Sequence, residues 1–259
     1  MVQIEFANKT KDLLKTDDNV IGLTVGGSWI TNQIDKYSDL DFIVVTKERV
    51  SDNKSKMMDY AKRLGNLLSC FTGEHIGEPR LLVCLFDKPL LHVDIKFLTI
   101  DEFHYRVETP IILIDREGQL QSVIDKTTPV FPYPNYQWIE DRFWIWIHYA
   151  LLKIGRGEYI ETFDFFSSIR SIIFGPLLHI KNGSLPRGVR KVEMELDSND
   201  FDRLKLTIPE YNKQSLLNCM RNSVSLYKYL RESLYDDTIK LQIETEKRVM
   251  LYFNEIENE

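Results

Sequence analysis

Three prolines stand within six positions, Pro129, Pro132 and Pro134, in the stretch TTPVFPYPNY. Proline has no backbone N–H and a fixed φ, so neither a helix interior nor a central strand can run through such a stretch. The chain on either side must satisfy its backbone separately, which predicts two domains, residues 1–127 and 137–259, joined by this linker. The two sides also differ in character. Before the prolines, short β-branched runs alternate with helical spacings; after them, apolar residues recur every three or four positions almost throughout. The expected fold class is α+β: a mixed β-sheet flanked by helices, followed by a helical bundle.

In the first part, residues 2–15 are expected to form a helix that stops at Asp17-Asp18-Asn19. Strands are expected over 20–25 and 40–46, and a helix over 55–70. Strands 80–86 and 91–98 are joined by the tight Asp87-Lys88-Pro89 link, which predicts an antiparallel hairpin. A strand over 111–114, a turn at Asp115-Arg116-Glu117-Gly118 and a short helix from Gln119 complete it. In the second part, helices are expected over 138–153, 159–180, 213–234 and 238–256.

The balance of 39 acids against 33 bases gives a net charge of −6. Long nucleic acid is bound through clustered Lys and Arg, so it is disfavoured as a partner. The N-terminus has no apolar signal-peptide core, and the longest apolar run, Phe143 to Leu152, is too short to span a bilayer. Cys70, Cys84 and Cys219 form no C-x-x-C pair and no visible disulfide framework. A cytoplasmic protein without membrane partners is the expectation, with the oligomeric state open and a homodimer compatible.

One stretch resists a purely structural explanation. VGGSWITNQIDKYSDLDFIVV places Asp39 and Asp41 on the same face of a strand that ends in Phe42-Ile43-Val44-Val45. Like charges at that separation raise the cost of ionising both, and a divalent cation removes the problem. Upstream, Gly27 lets backbone N–H groups approach an anion and Ser28 offers a hydroxyl donor. Further on, LLHVDIKFL sets Asp94 within another apolar strand. Three carboxylates from two strands can hold a metal pair of the kind used in phosphoryl transfer.

Gly27-Ser28, ten intervening residues, Asp39-Leu40-Asp41-Phe42 and the later strand carrying Asp94 together resemble the polymerase-β-type nucleotidyltransferase signature, over roughly residues 18–125. ILIDREGQL, the helix DRFWIWIHYALL and RGEY are similar to segments of the small lincosamide and aminoglycoside nucleotidyltransferases. The resemblance implies that Asp39, Asp41 and Asp94 are catalytic and hold Mg²⁺, as two ions. It implies that Gly27 and Ser28 cradle the triphosphate of ATP or another NTP, and that Asp94 completes the metal site or accepts the acceptor's proton. The implied reaction is transfer of a nucleoside monophosphate, AMP from ATP, to a hydroxyl of a small molecule such as an antibiotic held between the domains. Two alternatives stay open: a protein adenylyltransferase of regulatory or antitoxin-like type, and a nucleotide-binding protein without catalysis.

Other residues have weaker claims. Glu140 and Asp141 open a helix, where acids offset the dipole; the functional reading makes one of them a general base or a binder of acceptor amines. Lys96 shares the face of Asp94 and either contacts phosphate or offsets the carboxylates. Trp138, Trp144, Trp146 and Tyr149 are expected in the core, as are the lone histidines His92 and His148.

Overall fold

The computed structural model describes residues 1–258 and divides into two compact units, Met1–Phe131 and Pro132 onward. The first unit runs α1 (Val2–Leu14), β1 (Val20–Val25), β2 (Leu40–Thr46), α2 (Lys54–Leu64), β3 (Asn66–Gly73), β4 (Glu78–Asp87), β5 (Leu91–Leu98), α3 (Ile100–Phe103), β6 (Ile111–Asp115) and α4 (Gln119–Lys126). The six strands form one mixed sheet in the order β3-β4-β5-β2-β1-β6. β2 and β5 are parallel, and the other four pairings are antiparallel.

Alternation along the strands sends side chains to two unlike faces. On one, Leu23, Val25, Phe42, Val44, Val93, Ile95 and Phe97 pack with Phe6, Ala7 and Leu14 of α1 and with Met57, Ala61 and Leu64 of α2. On the other, Val45 and Leu98 lie under Phe103, Leu120 and Val123 of α3 and α4. That second face is apolar only at this end. Moving back along β2 and β5 it carries Asp41 and, on β5, Lys96 and Asp94.

One expected helix is shorter than its apolar rhythm suggested. α2 stops at Leu64, and Asn66–Gly73 is the edge strand β3, where residues 55–70 had read as a single helix. Gly65, extended at φ 175°, ends the helix. Leu67 and Leu68 satisfy a helical spacing and a strand equally well, and pairing with β4 decides it.

Glu78, Arg80 and Lys96 form an ion cluster across β4 and β5. Arg80 Nε lies 2.7 Å from Glu78 Oε1, and Lys96 Nζ lies 2.6 Å from Oε2. Hydrogen bonds from Arg80, aided by Lys96 and opposed by burial, hold the Glu78 carboxyl down to about 2 from an ordinary 4.5. A depressed carboxyl stabilises the fold above the unfolded value and loses that contribution as pH falls through the folded one. Glu78→Gln is therefore expected to lower stability at neutral pH and to flatten the loss of Tm between pH 4.5 and about 2. Melting curves at a series of pH values check this; an unchanged acid limb refutes it.

The second unit is helical: α5 (Tyr136–Arg156), α6 (Tyr159–Ile169), a π-turn at Arg170–Phe174 leading into α7 (Gly175–Lys181), α8 (Val192–Glu195), α9 (Ser198–Lys205), α10 (Lys213–Leu234) and α11 (Ile243–Asn258). Its core gathers Phe143, Trp144, Ile147 and Leu151 of α5 with Phe166, Phe174, Leu177, Met220, Tyr227 and Phe253. The aromatic residues of α5 do not all join it: Trp144 is buried, whereas Trp138 and Tyr149 are exposed. His148 packs at a tilt on Tyr252, partly exposed. Among the described residues, no helix is long and apolar enough to cross a membrane.

Candidate active site

The parallel pairing of β2 with β5 sets Asp41 directly opposite Asp94. Adjacent strands are about 4.8 Å apart, so two carboxylates stand side by side on one sheet face. Asp39 lies two residues before Asp41, just ahead of β2. All three are partly buried, away from the apolar cover of α3 and α4.

The glycine turn closes on this pair. After β1, Gly26 N donates to Asp41 O at 2.8 Å, which continues the β1–β2 pairing by one residue. The chain then turns through Gly27, at φ +62°, into a single helical turn, Gly27–Trp29, that carries Ser28. A Cβ at Gly27 would stand 2.1 Å from Asp41 Oδ2. A side chain there would displace the Asp41 carboxylate and strain the backbone, so glycine is favoured on both counts. The sequence thus places the turn and the second aspartate in van der Waals contact.

Two further groups join the site. His92 Nε2 lies 2.8 Å from Asp94 Oδ1, and His92 is about half exposed, so it is a surface partner of Asp94 and not the core residue expected. Strand alternation explains it: Leu91, Val93 and Ile95 face inward, which leaves His92, Asp94 and Lys96 on the other face. Lys96 is engaged by Glu78, two residues further along that face. The second group is Glu108, from the segment before β6. Gly27 N donates to its Oε1 at 3.0 Å. Nothing local in the sequence marks Glu108; it reaches the turn because β6 pairs with β1, with Ile111 opposite Val25.

The acids suggested in the helical unit are placed otherwise. Glu140 is fully buried: Tyr227 Oη donates to its Oε2 at 2.5 Å and Gln242 N to its Oε1 at 2.9 Å. Asp141 accepts from the side chains of Gln137, at 2.8 Å, and Gln242, at 3.1 Å. Glu140 therefore faces the inside of its own unit and presents no open carboxylate to an acceptor, which corrects its reading as a base. Lys153 is paired with Glu158 and Glu161 at 2.7 and 2.9 Å, within its own unit.

The donor set is suited to a hard cation. Asp39, Asp41 and Asp94 offer oxygen only, and Mg²⁺ takes oxygen ligands, commonly one or two carboxylates completed by water and substrate phosphates. Among the described residues no group of three or more His, Cys, Asp and Glu side chains that could hold a metal ion is found, so Asp39, Asp41 and Asp94 are not drawn into the single three-carboxylate cluster expected. The carboxylates that the sheet register brings together are Asp41 and Asp94.

Residues 7–116 match the family described as a nucleotidyltransferase domain. This part of the chain is a nucleotidyltransferase domain. The match spans β1 through β6 and takes in the turn and all three aspartates. A search of curated proteins finds no match.

Solved structures similar to the chain include an aminoglycoside 6-adenyltransferase from Bacillus subtilis, 14% identical over 98% of this chain and 97% of that one, with a TM-score of 0.37. A nucleotidyltransferase-like protein from Exiguobacterium sibiricum is 10% identical over 88% of this chain and 76% of that one, with a TM-score of 0.37. A spectinomycin adenyltransferase from Enterococcus faecialis, solved with ATP and spectinomycin, is 14% identical over 99% and 98%, with a TM-score of 0.32. Overlaps this loose carry no argument about substrate.

Proposed function

We propose that the protein transfers a nucleoside monophosphate, AMP from ATP, to a hydroxyl group of a small molecule, with Mg²⁺ bound at Asp39, Asp41 and Asp94. The observation that carries this reading is the direct opposition of Asp41 and Asp94 beside the Gly27 turn. A pair of like charges held on a sheet face is electrostatically costly, and within a nucleotidyltransferase domain its use is to bind the cation that accompanies a triphosphate.

Each residue then has a task. Bound Mg²⁺ supplies charge neutralisation for the triphosphate and acidifies the attacking hydroxyl. Gly27 and Ser28 orient the phosphates through a backbone N–H and a hydroxyl donor. Asp41 and Asp39 fix the cation beside the turn. Asp94 accepts the proton of the acceptor hydroxyl as its oxygen bonds to the α-phosphorus and pyrophosphate leaves; His92, 2.8 Å from Asp94 Oδ1, orients that carboxylate. An acceptor bearing amines suits the acidic chain, and aminoglycoside- and lincosamide-like antibiotics are the class we propose.

The test is incubation with Mg²⁺, each of the four common NTPs and a panel of aminoglycosides, spectinomycin and lincosamides, following pyrophosphate release. Turnover with ATP and one acceptor class is expected. Normal binding of Mg²⁺–ATP without release on any acceptor overturns the small-molecule reading; labelling of a protein band by radioactive ATP in lysate would replace it with a protein acceptor.

A further inference from the structure

The glycine turn already carries an anion. Gly27 N donates to Glu108 Oε1 at 3.0 Å, and a Cβ built on Gly26 would stand 2.8 Å from that oxygen. The same Gly26 position is 3.7 Å from Asp41 Cβ, so the Glu108 and Asp41 side chains flank one short piece of backbone. Glu108 is held there by topology: β6 pairs antiparallel with β1, which brings the residues before β6 next to those that follow β1. It is partly buried and therefore less screened than a surface carboxylate.

A backbone N–H in a glycine turn is a donor suited to a phosphate oxygen, and a carboxylate oxygen is its closest chemical substitute among side chains. Two anionic oxygens cannot both take the Gly27 N–H at hydrogen-bonding distance without facing each other across a few ångströms. We propose that Glu108 sets the protein's affinity for nucleotide: its carboxylate holds the Gly27 N–H in place of a phosphate oxygen and is displaced when triphosphate binds. The proposal rests on the reading of Gly27 and Ser28 as the phosphate-binding turn. It assigns Glu108 a competing role, distinct from the cation-binding role of Asp39, Asp41 and Asp94. One consequence is that triphosphate without a divalent cation binds poorly, since it must displace one carboxylate while lying beside another.

The experiment compares the full chain with Glu108→Gln and Glu108→Ala. Binding of sodium tripolyphosphate is measured by titration calorimetry without divalent cation, and the Gly27 amide is followed by ¹H–¹⁵N NMR. Removing a like charge about 5 Å from a polyanion predicts roughly tenfold tighter binding for Glu108→Ala. Glu108→Gln, which keeps an acceptor oxygen but loses the charge, falls between that and wild type. Triphosphate should also shift the Gly27 amide of the wild type, and the ligand-free alanine variant should differ at that amide. Wild-type binding that is unchanged or weakened in both variants overturns the proposal, because Glu108 would then only brace the turn; the functional reading would stand. Absence of triphosphate and Mg²⁺–ATP binding in all three proteins overturns both. Should the alanine variant melt early by circular dichroism, the glutamine variant decides, and it must bind at least about threefold tighter.

Discussion

Asp41→Asn is expected to lower nucleotidyl transfer by about a thousandfold while leaving thermal stability unchanged or slightly raised. The two halves of this expectation have one cause. Asp41 and Asp94 are register partners on a parallel pair, so their charges lie roughly 5 Å apart on one face. At that distance two like charges repel by about 1 kcal/mol in water and several times more at the lower effective dielectric of a protein surface. The fold bears this cost, and asparagine, which matches aspartate in shape, removes it without disturbing the contact with Gly27. The catalytic loss follows from the same charge. A neutral amide binds a hard divalent cation poorly, and a thousandfold corresponds to about 4 kcal/mol of transition-state stabilisation, ordinary for one charged group in such a site. Asp94→Asn should cost a similar factor, and the double variant little more than either single one, since the residues act as a unit. Initial rates of pyrophosphate release, with melting curves for all three variants, check the set. Activity of Asp41→Asn within tenfold of wild type would remove the central argument for the site.

The parts of this protein that the sequence makes legible are those governed by nearest neighbours. Val20–Val25 and Leu40–Thr46 declare themselves by β-branched content, and the Asp-x-Asp alternation puts two carboxylates on one face whatever the strand pairs with. The hairpin from β4 to β5 follows from a short link. Other features depend on pairing across the sheet and have no local signature. Asp94 meets Asp41 only because β5 lies parallel to β2, after a crossover through α2, β3 and β4. His92 reads as an apolar-strand histidine until the inward set Leu91, Val93 and Ile95 is known, and then it can only lie beside Asp94. Glu108 is a glutamate in a loop until β6 is seen to pair with β1. Gly65 carried the one available signal for the end of α2, but Leu67 and Leu68 continued the helical count beyond it. The fold class needed only composition and periodicity, whereas the site needed strand order, which no single sequence states.

Glu140→Ala is expected to destabilise the helical unit by about 3–5 kcal/mol, the cost of removing one member of a buried ion pair. Acids at the start of a helix are usually solvated and offset the dipole cheaply, and Glu140 departs from that because its side chain lies fully inside. Its two oxygens take Tyr227 Oη, at 2.5 Å, and Gln242 N, at 2.9 Å, with Arg231 Nη1 at 3.6 Å. Burial pushes the Tyr227 hydroxyl up, which keeps it a donor. Arg231 is shared with Glu246, 2.9 Å away, so one carboxylate joins α5, α10 and the approach to α11. Alanine would leave the buried Tyr227 hydroxyl with only Tyr235 Oη, at 3.4 Å, the part-buried Gln242 amide without its acceptor, and a mostly buried guanidinium with half its counter-charge. Glu140→Gln keeps an acceptor for one donor and should cost less, about 1–2 kcal/mol. Tyr227→Phe, added to Glu140→Ala, should cost less than the two single losses combined, because it removes the stranded hydroxyl along with its lost partner. Urea unfolding followed by tryptophan fluorescence, three of whose four sources (Trp138, Trp144 and Trp146) lie on α5 of this unit, reads out all of these. The measurement also separates the two roles a glutamate at this position can have. A base that takes a proton from an acceptor would lose turnover in Glu140→Gln at full stability; an internal anchor loses stability and keeps its kcat at temperatures where it remains folded. Full stability with lost turnover would return Glu140 to the chemistry.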